Sequence, residues 1–212
     1  MALTDRRIPA PVSGAEGLMT DGEPETGGIG GAAVQPWLVQ EVLAGYLLDF
    51  DGIHGPAHWL RVRVNGLALA AMTPGACVEV VELFALLHDS RRENERRDLG
   101  HGERAAGFAR LLADGGLLRL DATRLDLLVS ACAGHEHGLV SADPTIGCCW
   151  DADRLELSRL ERRPIARLLS TVAAHDGPLQ AAAWKRGRGH VVDRPGLRAW
   201  GLEAVLGGGA GG

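Results

Sequence analysis

Between about residues 36 and 175 the apolar positions recur at intervals of three and four, the period of helices that bury one face. The stretches that carry this period are about 36–50, 55–72, 77–89, 101–113, 121–134, 151–160 and 164–175. Breaks rich in Gly, Pro and Asp separate them: DFDGIHG, TPG, DLGHG, DGG and ADPTIG. No stretch shows the strict alternation of a half-buried strand. The spacing therefore predicts an all-α domain over 34–180, a compact bundle of about six to seven helices.

The flanks read differently. Residues 1–33 carry Pro, Gly, Ser, Thr and acid without an apolar period and end in GGIGGAA, the composition of a disordered or loosely packed arm. Residues 181–212 read as an extension with a Gly-rich end. From about Gly187 they hold too few periodic apolar positions for a core element, although 197–206 could form a short helix.

Composition adds limits. With 212 residues and 46% hydrophobic content the chain can bury one sizeable core. It has one Tyr and three Phe, so that core must be mainly Leu, Ala and Val, with Trp37, Trp59 and Trp150 as the large pieces. Its 22 basic and 27 acidic residues leave a net charge of -5, which gives no electrostatic reason to expect a nucleic-acid or membrane-surface partner. No apolar stretch reaches the roughly 18 residues of a membrane span, and the opening MALTDRRIPAPVSG lacks the apolar centre of a signal peptide. A cytoplasmic location is the expectation. The four cysteines, Cys77, Cys132, Cys148 and Cys149, have no CxxC spacing and read as reduced, mostly buried thiols. There is no GK[ST] phosphate loop and no repeat with a period of 20 to 50 residues.

The ionisable residues change the picture. His88 shares a stripe with Val80, Phe84 and Leu87; His101 with Ala105, Phe108 and Leu112; His135 with Leu125, Leu128 and Cys132; His58 with Val62 and Leu69. Asp153 falls in line with Leu157 and Leu160, and Asp151 with Leu155, so periodicity alone does not choose between the two acids. Burying several imidazoles and carboxylates costs several kcal/mol each when they are unpaired. A shared divalent cation is the economical explanation.

The order of His58 in HGPAHWLRV, His88-Asp89 in LFALLHDSRREN and Asp153 in CWDADRLEL resembles the H…HD…D signature of the HD-domain superfamily of metal-dependent phosphohydrolases. The resemblance covers about 54–160. It implies that His58, His88, Asp89 and Asp153 bind one divalent cation, with Asp153 preferred for its Ala-Asp-Arg-Leu context. Asp151 would then be a helix N-cap or an acid behind the ligands. His101 and His135 resemble positions used by family members that hold two metals. Mn²⁺, Mg²⁺, Fe²⁺ or Co²⁺ suits such ligands.

The activity so implied is hydrolysis of a phosphate ester or anhydride by metal-bound hydroxide, with Asp89 at the centre of the chemistry. The substrate would be a small phosphorylated molecule, a nucleotide being the modal class. Arg91 and Arg92 could meet phosphate oxygens, and His54 the leaving group. Some relatives place an acid three or four positions after the Asp to orient the attacking water; here Arg92 stands at the third, and Glu93, at the fourth, is the candidate for that catalytic role. His137, His175 and His190 read as structural or surface residues. Two other classes share the ligand order: a di-iron oxygenase of the same fold, and a nucleotide-binding regulatory module without turnover, against which the intact ligand set argues.

Overall fold

The computed structural model describes residues 33–206, so the expectations for the N-terminal arm and for 207–212 lie, apart from Ala33, outside the described residues. Those residues form helices and turns with no strand. The α-helices are α1 (Pro36–Ala44), α2 (Pro56–Ala71), α3 (Val78–Leu87), α4 (His101–Asp114), α5 (Ala122–Gly134), α6 (Pro144–Leu155), α7 (Gly177–Arg188), α8 (Arg194–Ala199) and α9 (Glu203–Leu206). None is long and apolar enough to cross a membrane.

α3 is the axis of the bundle, packed against α2, α5 and α6. Every residue from Val80 to Ser90 is buried. A helix apolar all round belongs inside a core, so from Val80 onward α3 has no solvent face and its pattern is broader than a stripe; Val78, at its start, is exposed. Its one buried acid, Glu82, is neutralised by Arg63 of α2 at 2.6 Å. α2 comes close because Gly66 lacks a side chain: a Cβ there would meet Val81 Cγ1 at 2.5 Å.

Three boundaries depart from the sequence pattern. α1 ends at Ala44, where Gly45 caps it, and not near 50. α6 begins at Pro144, because Asp143 accepts from the backbone N–H groups of Thr145 and Ile146 while Pro144 takes the first turn. The break ADPTIG is thus a helix start. Beyond Leu155 the chain continues as a 3-10 turn, Glu156–Leu160. The helix expected over 164–175 is replaced by two short 3-10 turns, Ala166–Leu168 and Ala173–His175. Between them the N–H groups of Ser170 and Thr171 donate to the Asp151 carboxylate, at 2.8 to 2.9 Å, in place of helix carbonyls.

The C-terminal segment belongs to the core. Leu197, Trp200 and Leu202 are buried, Trp200 to 1% exposure, whereas Trp37 is 51% exposed and is no core residue. These three anchors are clustered in sequence but not periodic, which is why a period search passes over them. Cys132, Cys148 and Cys149 are buried free thiols, and Cys77 is half-buried.

Candidate metal centre

Five helices deliver six ligand-type side chains to one place. His58 lies in the first turn of α2; His88 and Asp89 follow the last residue of α3; His101 opens α4; His135 follows the end of α5; Asp153 lies in the last turn of α6. Three of these, α3, α5 and α6, present their C-terminal ends. The partial negative charge of a helix C-terminus favours a cation there. His101 can turn inward because Gly100 before it takes φ +84°, a left-handed conformation that suits glycine.

The donor atoms fall into two groups, His58 with His88 and Asp153, and Asp89 with His101 and His135. In the first, His58 Nε2 lies 3.2 Å from His88 Nε2 and 3.5 Å from Asp153 Oδ1. In the second, His101 Nε2 is 2.8 Å from His135 Nε2 and 3.2 Å from Asp89 Oδ1. The Asp89 carboxylate joins them: its other oxygen, Oδ2, is 3.4 Å from His58 Nε2 and 3.6 Å from His88 Nε2. Ligands about 2.1 Å from an ion, at angles between 90° and tetrahedral, stand about 3.0 to 3.4 Å apart. The distances within the two groups run from 2.8 to 3.8 Å, around that range, and the Asp89 carboxylate faces both groups.

The histidine tautomers fit the same purpose. Nδ1 of His88 faces the carbonyls of Phe84 and Ala85 at 3.1 and 3.2 Å, that of His101 the carbonyl of Asp98 at 2.6 Å, and that of His135 the carbonyl of Cys132 at 2.7 Å. A carbonyl only accepts, so each Nδ1 carries the proton and each Nε2 presents a lone pair inward. His58 Nδ1 faces Glu156 Oε1 at 3.7 Å. Lone pairs at 2.8 and 3.2 Å repel unless a proton or a cation lies between them. The buried His/Asp groups could therefore hold a metal ion.

Charge is arranged around this need. Burial depresses the His88 pKa to about 3, so the ring is neutral at physiological pH. Burial alone would raise the Asp89 carboxyl, but His88, His101, His135 and His58 together hold it well below the usual carboxylate range. Burial opposes charge on His135 too, and there the Asp89 carboxylate outweighs it and raises the pKa. Cys132 lies behind His135, but burial pushes its thiol up, so it stays protonated and is a poor ligand.

The remaining candidates divide. Arg92 reaches the cluster, with Nη1 3.4 Å from Asp89 Oδ1 and 3.1 Å from His101 Nε2. His54 lines the same cavity with its Nδ1 committed to Glu95. Arg91 does not: its guanidinium donates to the carbonyls of Val42 and Ser90 and lies 3.4 Å over the Phe108 ring. Glu93 is largely exposed and faces Arg104 at 3.6 Å. Both line a separate groove. The expectation for them came from their closeness in sequence to His88-Asp89, but α3 stops at Leu87 and the chain turns, which takes both side chains away from the cluster. Asp151 is neither cap nor partner of the ligands. It points away, to Ser170 and to Thr171, whose hydroxyl also donates to it at 2.9 Å.

Sequence reasoning passed over Arg61 and Glu156. Fully buried Glu156 accepts from Arg61 Nε at 2.5 Å and backs His58. A signal existed: Arg61 stands one turn after His58 and Glu156 three residues after Asp153, so opposite charges flank the ligands on their own faces. Glu136, with Oε2 3.2 Å from His101 Nδ1, plays a similar part at the second group.

A cavity of about 310 Å³ opens on the cluster, reaching Asp89, His101, His135 and Asp153. Arg92 and Arg159 line it, and Leu157, Leu160, Ile165 and Leu168 make an aliphatic wall. Comparisons with family models, with curated proteins and with solved structures find no match to this chain.

Proposed function

We propose that the chain is a metal-dependent hydrolase of the HD-domain type, cleaving a phosphate ester or anhydride bond in a small phosphorylated substrate, with nucleotides the first class to try. The observation that carries this reading is the pair of His/Asp groups joined through Asp89 at the floor of a cavity. Divalent ions such as Mn²⁺, Mg²⁺, Fe²⁺ or Co²⁺ supply Lewis acidity and acidify water when held by such ligands.

The chain's own residues supply the rest. His58, His88 and Asp153 hold one position and His101 and His135 the other, with Asp89 facing both. Two divalent ions outweigh the charge of two carboxylates, so the loaded floor attracts an anion. Arg92 and Arg159 add positive charge at the walls, where guanidinium N–H groups suit phosphate oxygens. Leu157, Leu160, Ile165 and Leu168 make one wall of the cavity aliphatic.

The test is a screen of metal-stripped protein, reloaded in turn with Mn²⁺, Mg²⁺, Co²⁺ and Ni²⁺. The panel comprises nucleoside mono-, di- and triphosphates, cyclic nucleotides and simple phosphate esters. Turnover that needs the metal and is lost in His88→Ala supports the reading; no turnover with any pair removes it. The completeness of the second group also favours another reading, oxygen activation on a small substrate at two irons. Two irons per chain with a mixed-valent signal, and no phosphate release, would select it.

A further inference from the structure

The two groups of ligands differ in one respect: a cation of the chain already stands at the second. Arg92 Nη1 lies 3.1 Å from His101 Nε2 and 3.4 Å from Asp89 Oδ1, the two atoms that a second ion would use. His101 Nδ1 gives its proton to the Asp98 carbonyl, so the contact at Nε2 is an Arg92 N–H donating to a lone pair. That lone pair serves one partner at a time, guanidinium or metal. Arg92 is itself buried, and Asp89 is the one carboxylate within ion-pair distance of it among the described residues. Asp98, the neighbouring acid, is held by Arg104 at 2.7 Å and by the Glu93 N–H.

The first group has no such occupant. No arginine or lysine lies within ion-pair distance of Asp153 among the described residues, and the polar contacts of the His58 and His88 rings are to each other, to carboxylates and to carbonyls.

We infer that the Arg92 guanidinium is the resident cation of the second group, and that a second divalent ion binds there only by displacing it. Arg92 thereby sets whether the chain holds one ion or two. The rest of the guanidinium is tied to the carbonyls of Arg96, at 2.7 Å, and Asn94, at 3.4 Å. Displacement therefore involves the turn that follows Asp89, outside any helix. The inference rests on reading the cluster as a two-ion site, and it does not depend on the reaction catalysed there.

The experiment is a Mn²⁺ titration of the metal-free chain, followed by calorimetry and by the electron-spin signal of bound Mn²⁺. The wild type should take one ion tightly and a second more weakly by about tenfold or more, the scale of one close charge interaction. A spin-coupled signal should appear only with the second ion. In Arg92→Met, which keeps an unbranched flexible side chain and removes the charge, the two affinities should converge and the coupled signal should appear at lower Mn²⁺. Arg92→Lys, which restores a cation, should separate them again. Should Arg92→Met not fold, the wild type and Arg92→Lys still decide. Equal affinities for both ions in the wild type, or a second site lost in Arg92→Met, would overturn the inference. Binding of two ions in this order without hydrolysis would leave it standing and remove the phosphohydrolase reading instead.

Discussion

Asp89 is the residue that joins the two groups of ligand-type side chains, because one of its oxygens faces His58 and His88 and the other faces His101 and His135. Asp89→Asn keeps the shape and removes the charge, so it should weaken both ions. Asp153→Asn should weaken only the first. Loss of a group behind a ligand typically costs about 10- to 100-fold in metal affinity, and loss of a charged ligand should cost at least as much. Metal titration of the two variants checks this; equal stoichiometry and affinity in Asp89→Asn would separate Asp89 from the metal. Protons test the same residues. The folded pKa of His88, about 3, lies below the ordinary 6.5, so between these values the unfolded chain binds the extra proton. The stability present above pH 6.5 is lost as pH falls toward 3, by at most about 1.4 kcal/mol per pH unit for one proton. His54 is lowered by burial and acts in the same direction, while His135 is raised and opposes them. The metal-free chain should therefore unfold at lower temperature at pH 4.5 than at 6.5; a flat profile would mean that His88 is protonated in the fold.

At the scale of elements, the second group exists because α4 and α5 approach closely. A Cβ on Gly102 would meet the backbone oxygens of Cys132 at 2.6 Å and Ala133 at 3.1 Å, and backbone cannot swing aside. Gly102→Ala should push the start of α4 off the end of α5, parting His101 from His135. The expected result is loss of the second ion with the first retained, and destabilisation of about 1 to 3 kcal/mol from overpacking, read by denaturant unfolding. Unchanged binding of two ions would show that the approach is not needed. How far such elements could be read from sequence depended on periodicity. α2 to α5 fell close to their apolar periods, and the histidines on those stripes do meet. α6 started earlier than its period because Asp143 and Pro144 act through capping. The segment 164–175 looked helical but gives its N–H groups to Asp151, a side chain 19 and 20 residues away. No local pattern contains that contact. Arg91 and Glu93 lie away from the cluster for a related reason, since the chain turns after Leu87 and closeness in sequence to Asp89 does not carry them to it.

For the whole molecule, the C-terminal segment completes the bundle. α7 packs on the 3-10 turn after α6, and Arg186 donates to Asn65 of α2 at 2.6 Å. Trp200, buried near Arg63, should cost about 3 to 5 kcal/mol when replaced by Ala. Thermal unfolding of Trp200→Ala with a near wild-type midpoint would instead make the segment an appendage. The helical class was legible because periods of three and four run through most of residues 36–160, whereas these last anchors were not, being few and irregularly spaced. The pairing of ligands into two groups through one carboxylate was likewise absent from the sequence, because it depends on where five helix ends meet. The most direct measurement is anomalous X-ray diffraction from crystals equilibrated with Mn²⁺. One peak should lie among His58, His88, Asp153 and Asp89, and at higher Mn²⁺ a second among Asp89, His101 and His135. Crystals that show no peak within coordinating distance of any of these six residues would contradict a metal centre there.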